Sequence, residues 1–83
     1  MVSEEEHLSV TSGELRLAAM GLLARREHSS QELLVKLRQR FRRRACPDEQ
    51  VQDVLTTLTK EGLLSDERFA LSTVRQLVSR GYG

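Results

Sequence analysis

Apolar residues return at helical spacing in four stretches of this chain, and each stretch opens on a capping signal or a proline. Thr11 with Glu14 three residues on is a capping box, so a first helix should begin near Ser12. Leu15, Ala18, Ala19, Leu22 and Leu23 then share one face. Arg26 falls on that face too. Either the helix ends before it, or its aliphatic stem packs while its head finds an acid. Ser29 with Glu32 repeats the capping box and predicts a second helix after a turn at Glu27–His28. Its stripe is Leu33, Leu34, Leu37 and Phe41. At 3.6 residues per turn, Lys36, Arg40 and Arg43 fall on one flank of the stripe, and Arg38 and Arg42 on the other. Arg44 would point back into the stripe, so the helix should have ended by then.

Pro47 suits the first turn of a third helix, and Asp48 and Glu49 favour its positive end. Val51, Val54, Leu55 and Leu58 form its stripe, and Gly62 is placed to end it in a left-handed cap. Three short helices joined by short turns should fold back on one another. Leu63 and Leu64 follow as a buried linker. Ser65 then reads as the N-cap of a fourth helix, with Asp66 and Glu67 in its first turn. Its apolar residues, Phe69, Ala70, Leu71, Val74, Leu77 and Val78, cover a broader arc than the earlier stripes and call for further neighbours. Self-association through Phe69, Val74, Leu77 or Val78 is therefore expected.

A shift of 54 residues aligns Leu15 with Phe69, Met20 with Val74, Leu23 with Leu77, Arg26 with Arg80 and His28 with Tyr82. The fourth helix thus reads as a second copy of the first. The predicted architecture is all-α. Residues 1–11 form a disordered acidic tail, 12–62 a three-helix repeat, and 63–83 the first helix and following turn of a second tandem repeat.

Length and composition narrow the function. At 83 residues the chain holds one small domain, and with 4% aromatic residues it must pack mainly through Leu, Val and Ala. The single cysteine, Cys46, excludes an intrachain disulfide and fits a reducing compartment. No apolar run approaches the roughly 20 residues of a membrane span, and Glu4, Glu5 and Glu6 stand where a signal peptide would be basic and then apolar. A soluble cytoplasmic protein is the simplest expectation.

Net charge is only +1, but Arg25 to Arg44 holds eight basic residues against Glu27 and Glu32, a local +6. The basic residues are Arg25, Arg26, Lys36, Arg38, Arg40, Arg42, Arg43 and Arg44. From Lys36 onward no acid interrupts them, which points to an anionic partner. Guanidinium groups form bidentate bonds to phosphates and carboxylates alike. The plainer alternative is a solvated helix face, and for Arg25 and Arg26 a favourable pairing with a helix C-terminus. Phe41 lies in the core stripe, so base stacking of the single-strand-binding kind is not expected. Arg80 to Gly83 forms a second basic turn, which a helix cap followed by a loop also explains.

No catalytic or metal constellation can be assembled. His28 precedes an N-cap and reads as a turn residue, His7 lies in the tail, and Cys46 stands alone near a helix start, where a thiol pKa can fall. Asp66, Arg68 and Phe69 read as packing residues of the junction. An enzyme is the least favoured class, and no cofactor is implied.

Four motifs in order carry a family resemblance: Leu22 to Leu33 (LLARREHSSQEL), Lys36-Leu37-Arg38, Gly62 to Ala70 (GLLSDERFA) and Arg80 to Gly83 (RGYG). Together, over residues 15–83, they resemble the RecX family. One departure is the stretch from Arg40 to Pro47, which has extra arginines where the family often has a glycine turn. The resemblance implies tandem three-helix repeats in an elongated molecule and a regulator of the RecA recombinase, lying in the groove of the RecA–DNA filament and limiting strand exchange. The implied partners are the RecA filament and, non-specifically, single- or double-stranded DNA, met through the nine basic residues Arg25, Arg26, Lys36, Arg38, Arg40, Arg42, Arg43, Arg44 and Arg80. Two rival classes remain. A generic DNA-binding helical module would need base-reading polar side chains on its second helix. A structural adaptor would show no dependence on DNA or salt.

Overall fold

A computed structural model describes residues 9 to 82. Four helices are present, α1 (Ser12–Arg25), α2 (Ser30–Arg40), α3 (Asp48–Lys60) and α4 (Asp66–Tyr82), and the described residues form no strand, so the chain is all-α. The N-cap bond of each predicted capping box forms, while the Glu14 and Glu32 carboxylates turn to Arg44 and Arg26 instead of back to the cap amides. Thr11 Oγ1 accepts the Glu14 amide at 3.1 Å, and Ser29 Oγ accepts the Glu32 amide at 3.0 Å. Pro47 stands at the cap of α3, one residue earlier than expected, and Gly62 ends that helix at φ +79°. There Leu63 donates to Leu58 O and Gly62 to Thr59 O, both at 3.0 Å, which satisfies carbonyls the helix end leaves open. Ser65 caps α4 through the Arg68 amide.

α1, α2 and α3 pack pairwise around a core of Leu15 and Ala19 from α1, Leu33 and Leu37 from α2, and Val51, Val54, Leu55 and Leu58 from α3. The predicted stripes supply this core. α4 stands apart as an arm, and the molecule measures 59 × 24 × 18 Å. Val74, Leu77 and Val78 are more than half exposed, while Phe69 is partly buried.

The residue just before each of three N-caps is buried. Val10, His28 and Leu64 precede the caps Thr11, Ser29 and Ser65, and all three are essentially inaccessible. Each stands five residues before Leu15, Leu33 or Phe69, the spacing of a hydrophobic staple. This corrects two expectations. Ser9 to Thr11 belong to the ordered unit rather than to a disordered tail. Val10 N donates to Ala45 O at 2.9 Å, and Gln50 Nε2 donates to Val10 O at 2.7 Å. Burial of the Val10 side chain together with these bonds outweighs the entropy of ordering. Residues 1–8, with Glu4 to Glu6 and His7, lie outside the described residues. In the linker only Leu64 is buried; Leu63 is 40% exposed because it lies outside the staple position.

Ion pairs close the ends of the unit. Arg44 grips Glu14 with both terminal nitrogens, Nη2 at 2.9 Å from Oε1, and also donates to Ser9 O at 2.8 Å. Arg26 donates to Glu32 at 2.6 Å. Both carboxyls are held below the ordinary range, chiefly by these hydrogen bonds and then by the charge of the arginine, against an opposing effect of burial. At the junction, Asp66 accepts the Ser30 amide at 2.6 Å and its hydroxyl at 2.8 Å, capping the free N-terminus of α2. Arg68 Nε donates to Glu27 at 3.0 Å and Nη2 to Leu63 O at 3.2 Å.

The sequence-predicted turn after Arg80 does not form. α4 runs through Gly81 to Tyr82, because each residue added to a helix gains a hydrogen bond without a new nucleus. Gly83, and the side chain that would pair with His28 in the repeat, lie outside the described positions.

Two outcomes follow for stability. Leu37→Ala, at a buried position, should lower the unfolding free energy by about 2–5 kcal/mol, and Leu77→Ala on the arm should change it by less than about 0.5 kcal/mol. Urea denaturation followed by circular dichroism checks this, and equal losses would contradict the assigned core. Because the folded pKa values of Glu14 and Glu32 are depressed, their contribution is complete above the ordinary carboxylate range and is lost as pH falls through the folded values. Glu14→Gln should therefore flatten the acid limb of a Tm-against-pH curve while leaving its shape near neutral pH unchanged.

Candidate functional site

The α1–α2 hairpin divides the basic residues between its two ends. Arg25 and Arg26 finish α1 beside the start of α2, where Arg26 meets Glu32. Arg40 ends α2 and Phe41 to Arg44 follow it beside the start of α1, where Arg40 and Phe41 line a hollow with Glu14, Leu17 and Ala18. An 11-residue α2 is about 16 Å long, so Arg25 and Arg26 lie at the other end of the hairpin from Arg40–Arg44, and of the two readings open for them the pairing at the end of α1 fits better than an extension of that surface.

α2 ends at Arg40, and Phe41, Arg42 and Arg43 form a turn. Phe41 N donates to Leu37 O, Arg42 N to Gln39 O and Arg44 N to Phe41 O, so the chain tightens and leaves the helix path. Arg42 and Arg43 are therefore turn residues rather than helix-flank residues. Phe41 anchors the turn against the core, with the Arg40 and Arg44 guanidiniums each 5.9 Å from its ring centre. Arg42, with Arg38, Arg44, Phe41 and Cys46, lines a shallow surface pocket.

The nine basic candidates separate by what they already hold. Arg44 is a clasp, bound to Glu14 and Ser9 O, and its Nε is buried without a partner among the described residues. Arg26 is spent on Glu32 and on Glu27 O at 2.9 Å. Lys36 Nζ lies 3.0 Å from His28 Nε2 and 3.7 Å from Glu32. Arg38 lies 3.3 Å from Asp48, and since both side chains are mostly exposed, water and salt weaken that pair. The expectation that the cluster from Lys36 to Arg44 meets no acid is thus wrong for Lys36, Arg38 and Arg44. The acids come from elsewhere: Glu14 from α1, Asp48 from α3, and Glu32 one turn before Lys36. Arg25, Arg40, Arg42, Arg43 and Arg80 have no carboxylate partner among the described residues. Arg80 lies in the last turn of the arm, on no element shared with Arg40–Arg43.

His28 sits in its expected turn, but it is also the one fully buried polar side chain among the described residues. Its Nδ1 lies 2.9 Å from Arg26 O, and a carbonyl only accepts, so Nδ1 carries the proton. Nε2 is then free to accept from Lys36. The ring holds the turn and removes Lys36 from the basic surface. Burial and the neighbouring Asp48 push the Cys46 thiol pKa up, partly opposed by Arg38, so the low value conceivable at a helix start does not arise. Among the described residues no three His, Cys, Asp or Glu side chains gather as a metal site requires, and no helix is long and apolar enough to cross a membrane.

No family model matches the chain, and no solved structure matches it. Curated relatives do. The chain is 48% identical over 69 residues to a protein of Pseudomonas entomophila named Regulatory protein RecX, a match covering 83% of this chain and 42% of the relative. Proteins of the same name from Pseudomonas fluorescens and Ectopseudomonas mendocina are likewise 48% identical over 69 residues, covering 83% of this chain and 42% and 43% of those proteins. The chain therefore spans about two fifths of the length of the relatives it matches. With nearly half of the aligned positions identical along most of its length, the chain belongs to the RecX family.

Proposed function

We propose that this chain is a regulator of RecA that binds RecA–DNA filaments in the bacterial cytoplasm and limits recombinase activity in recombination and repair. Membership of a family whose members are named as regulatory proteins supports this reading. The observation that carries its placement on the molecule is the turn at Arg40, Arg42 and Arg43. There, three guanidiniums project from one short segment with no carboxylate partner among the described residues. Such groups keep their bidentate donors for a phosphate backbone or an acidic protein surface. The turn is held rigid by Phe41 beneath it and by the Arg44–Glu14 clasp beside it, so little order has to be gained on binding. The role is one of occupancy: the chain sits on the filament and competes for contacts, with no chemistry of its own. Residues 63–83 are, on this reading, the start of a second repeat that extends the same elongated body.

Binding to preformed RecA–single-stranded-DNA filaments, to free RecA and to bare DNA, followed by anisotropy of the labelled chain at two salt concentrations, tests this. The reading predicts filament binding that falls at least about tenfold in the Arg40→Glu, Arg42→Glu, Arg43→Glu triple variant, because reversed charges now oppose the partner. Arg25→Glu, at the other end of the hairpin, should change it less than about threefold. Binding to bare DNA alone, with a steep salt dependence, would replace the reading with a non-specific DNA-binding module. Binding to none of the three would contradict both.

A further inference from the structure

Both α2 and α4 carry a serine cap of their own. Ser29 Oγ accepts the Glu32 amide at 3.0 Å, and Ser65 Oγ accepts the Arg68 amide at 3.1 Å. The Asp66 carboxylate, in the first turn of α4, is therefore not needed to cap its own helix. It turns to the other helix instead. Oδ1 accepts the Ser30 amide at 2.6 Å, and Oδ2 accepts the Ser30 hydroxyl at 2.8 Å. One carboxylate thus stands at the N-terminal ends of two helices, where both backbone dipoles favour a negative charge.

Little else holds α4 in its direction. The linker enters the core at Leu64, and a single buried side chain fixes where the helix starts but leaves its angle open. Phe69 is partly buried and does not join the core cluster. No helix of the unit makes a broad contact with α4 among the described residues. A hollow lined by Met20, Leu23, Leu63 and Arg68 separates α1 from the start of α4. Two polar ties cross the joint, Asp66 to Ser30 and Arg68 Nε to Glu27 at 3.0 Å. They differ in strength. Arg68 and Glu27 are long side chains, 46% and 32% exposed, and such a pair adds little because water screens it and both partners lose rotamers. Asp66 is short and charged, and it holds a backbone amide, which has no rotamer to lose.

We propose that Asp66 is the latch of this joint: by holding Ser30 at the start of α2, its carboxylate sets the angle between α4 and the three-helix unit. Loss of the carboxylate turns the joint into a hinge about Leu64. Neither helix is undone, since each keeps its serine cap. Asp66 is thus a positioning residue that acts on an element 36 residues away, beyond its place in the first turn of its own helix. The latch itself does not depend on the RecA reading. If residues 63–83 begin a second repeat, Asp66 also sets the angle at which that repeat leaves the first, and this consequence alone rests on the proposed function.

Residual dipolar couplings of the backbone amides, measured on the full 83-residue chain, test the latch. In the parent, couplings from all four helices should fit one alignment tensor. In Asp66→Ala, the α4 couplings should shrink at least about twofold while those of α1 to α3 stay unchanged, because a mobile arm averages its orientations. Asp66→Asn, uncharged but similar in shape, should also loosen α4. Ser30→Ala, which loses the hydroxyl bond and keeps the amide bond, should loosen it less than Asp66→Ala, and Arg68→Gln less again. Undiminished α4 couplings in Asp66→Ala would overturn the proposal. So would α4 couplings already reduced in the parent, or a larger loosening in Arg68→Gln, which would give the joint to the ion pair. Altered couplings throughout α1 to α3 in both Asp66 variants would overturn it too, because the residue would then serve the fold of the unit and not the angle of the arm.

Discussion

A guanidinium that already grips a carboxylate has few donors left for a partner, and this constraint sorts the basic residues of the chain. Arg44 holds Glu14 and the Ser9 carbonyl, and Arg26 holds Glu32 and the Glu27 carbonyl. These contacts close opposite ends of the α1–α2 hairpin, and the Arg44 clasp also anchors the segment that carries Val10 into the core. The unit is small, so its leucine core works together with such bonds at the periphery. Of the +6 segment, Arg25, Arg40, Arg42 and Arg43 keep guanidiniums without a carboxylate partner among the described residues, the last three close together in the turn that we propose for recognition.

The helices were legible because their start signals are local. Thr11, Ser29 and Ser65 cap the helices they were read to cap, and Gly62 takes the positive φ that its position required. The stripes of α1, α2 and α3 identify the core for the same reason: period and burial agree. For Arg26 the sequence left open a head that finds an acid, and Glu32 is that acid; the other ion pairs were not legible. Glu14 lies 30 residues from Arg44 in sequence, and its role in the capping box already accounted for it. The burial of His28 did have a signal. It holds the position before an N-cap that Val10 and Leu64 hold elsewhere, and an apolar residue is usual there. A histidine fills the place because its two nitrogens satisfy the Arg26 carbonyl and Lys36, so no polar atom is buried alone.

The arm depends on contacts of another kind. Asp66 reaches back to the open N-terminus of α2, and Arg68 reaches Glu27, so polar bonds set where α4 departs from the unit. Past that joint α4 has almost no neighbour, and its apolar residues divide in register: Leu71, Val74 and Val78 align with outer positions of α1, Phe69 and Leu77 with inner ones. The repeat therefore preserves the way a helix is started and stapled, from Val10–Leu15 to Leu64–Phe69, more closely than it preserves the inner face that follows.

The central claim is that recognition belongs to the turn left outside the clasps. Its most direct test is amide hydrogen exchange of the chain bound to RecA–single-stranded-DNA filaments, read residue by residue. The account predicts new protection concentrated at residues 40–43, with the amides around Arg26, Lys36 and Arg44 exchanging as in the free chain. Protection centred on the Arg26 end of the hairpin, or faster exchange around Arg44 showing that its clasp opens to bind, would contradict it.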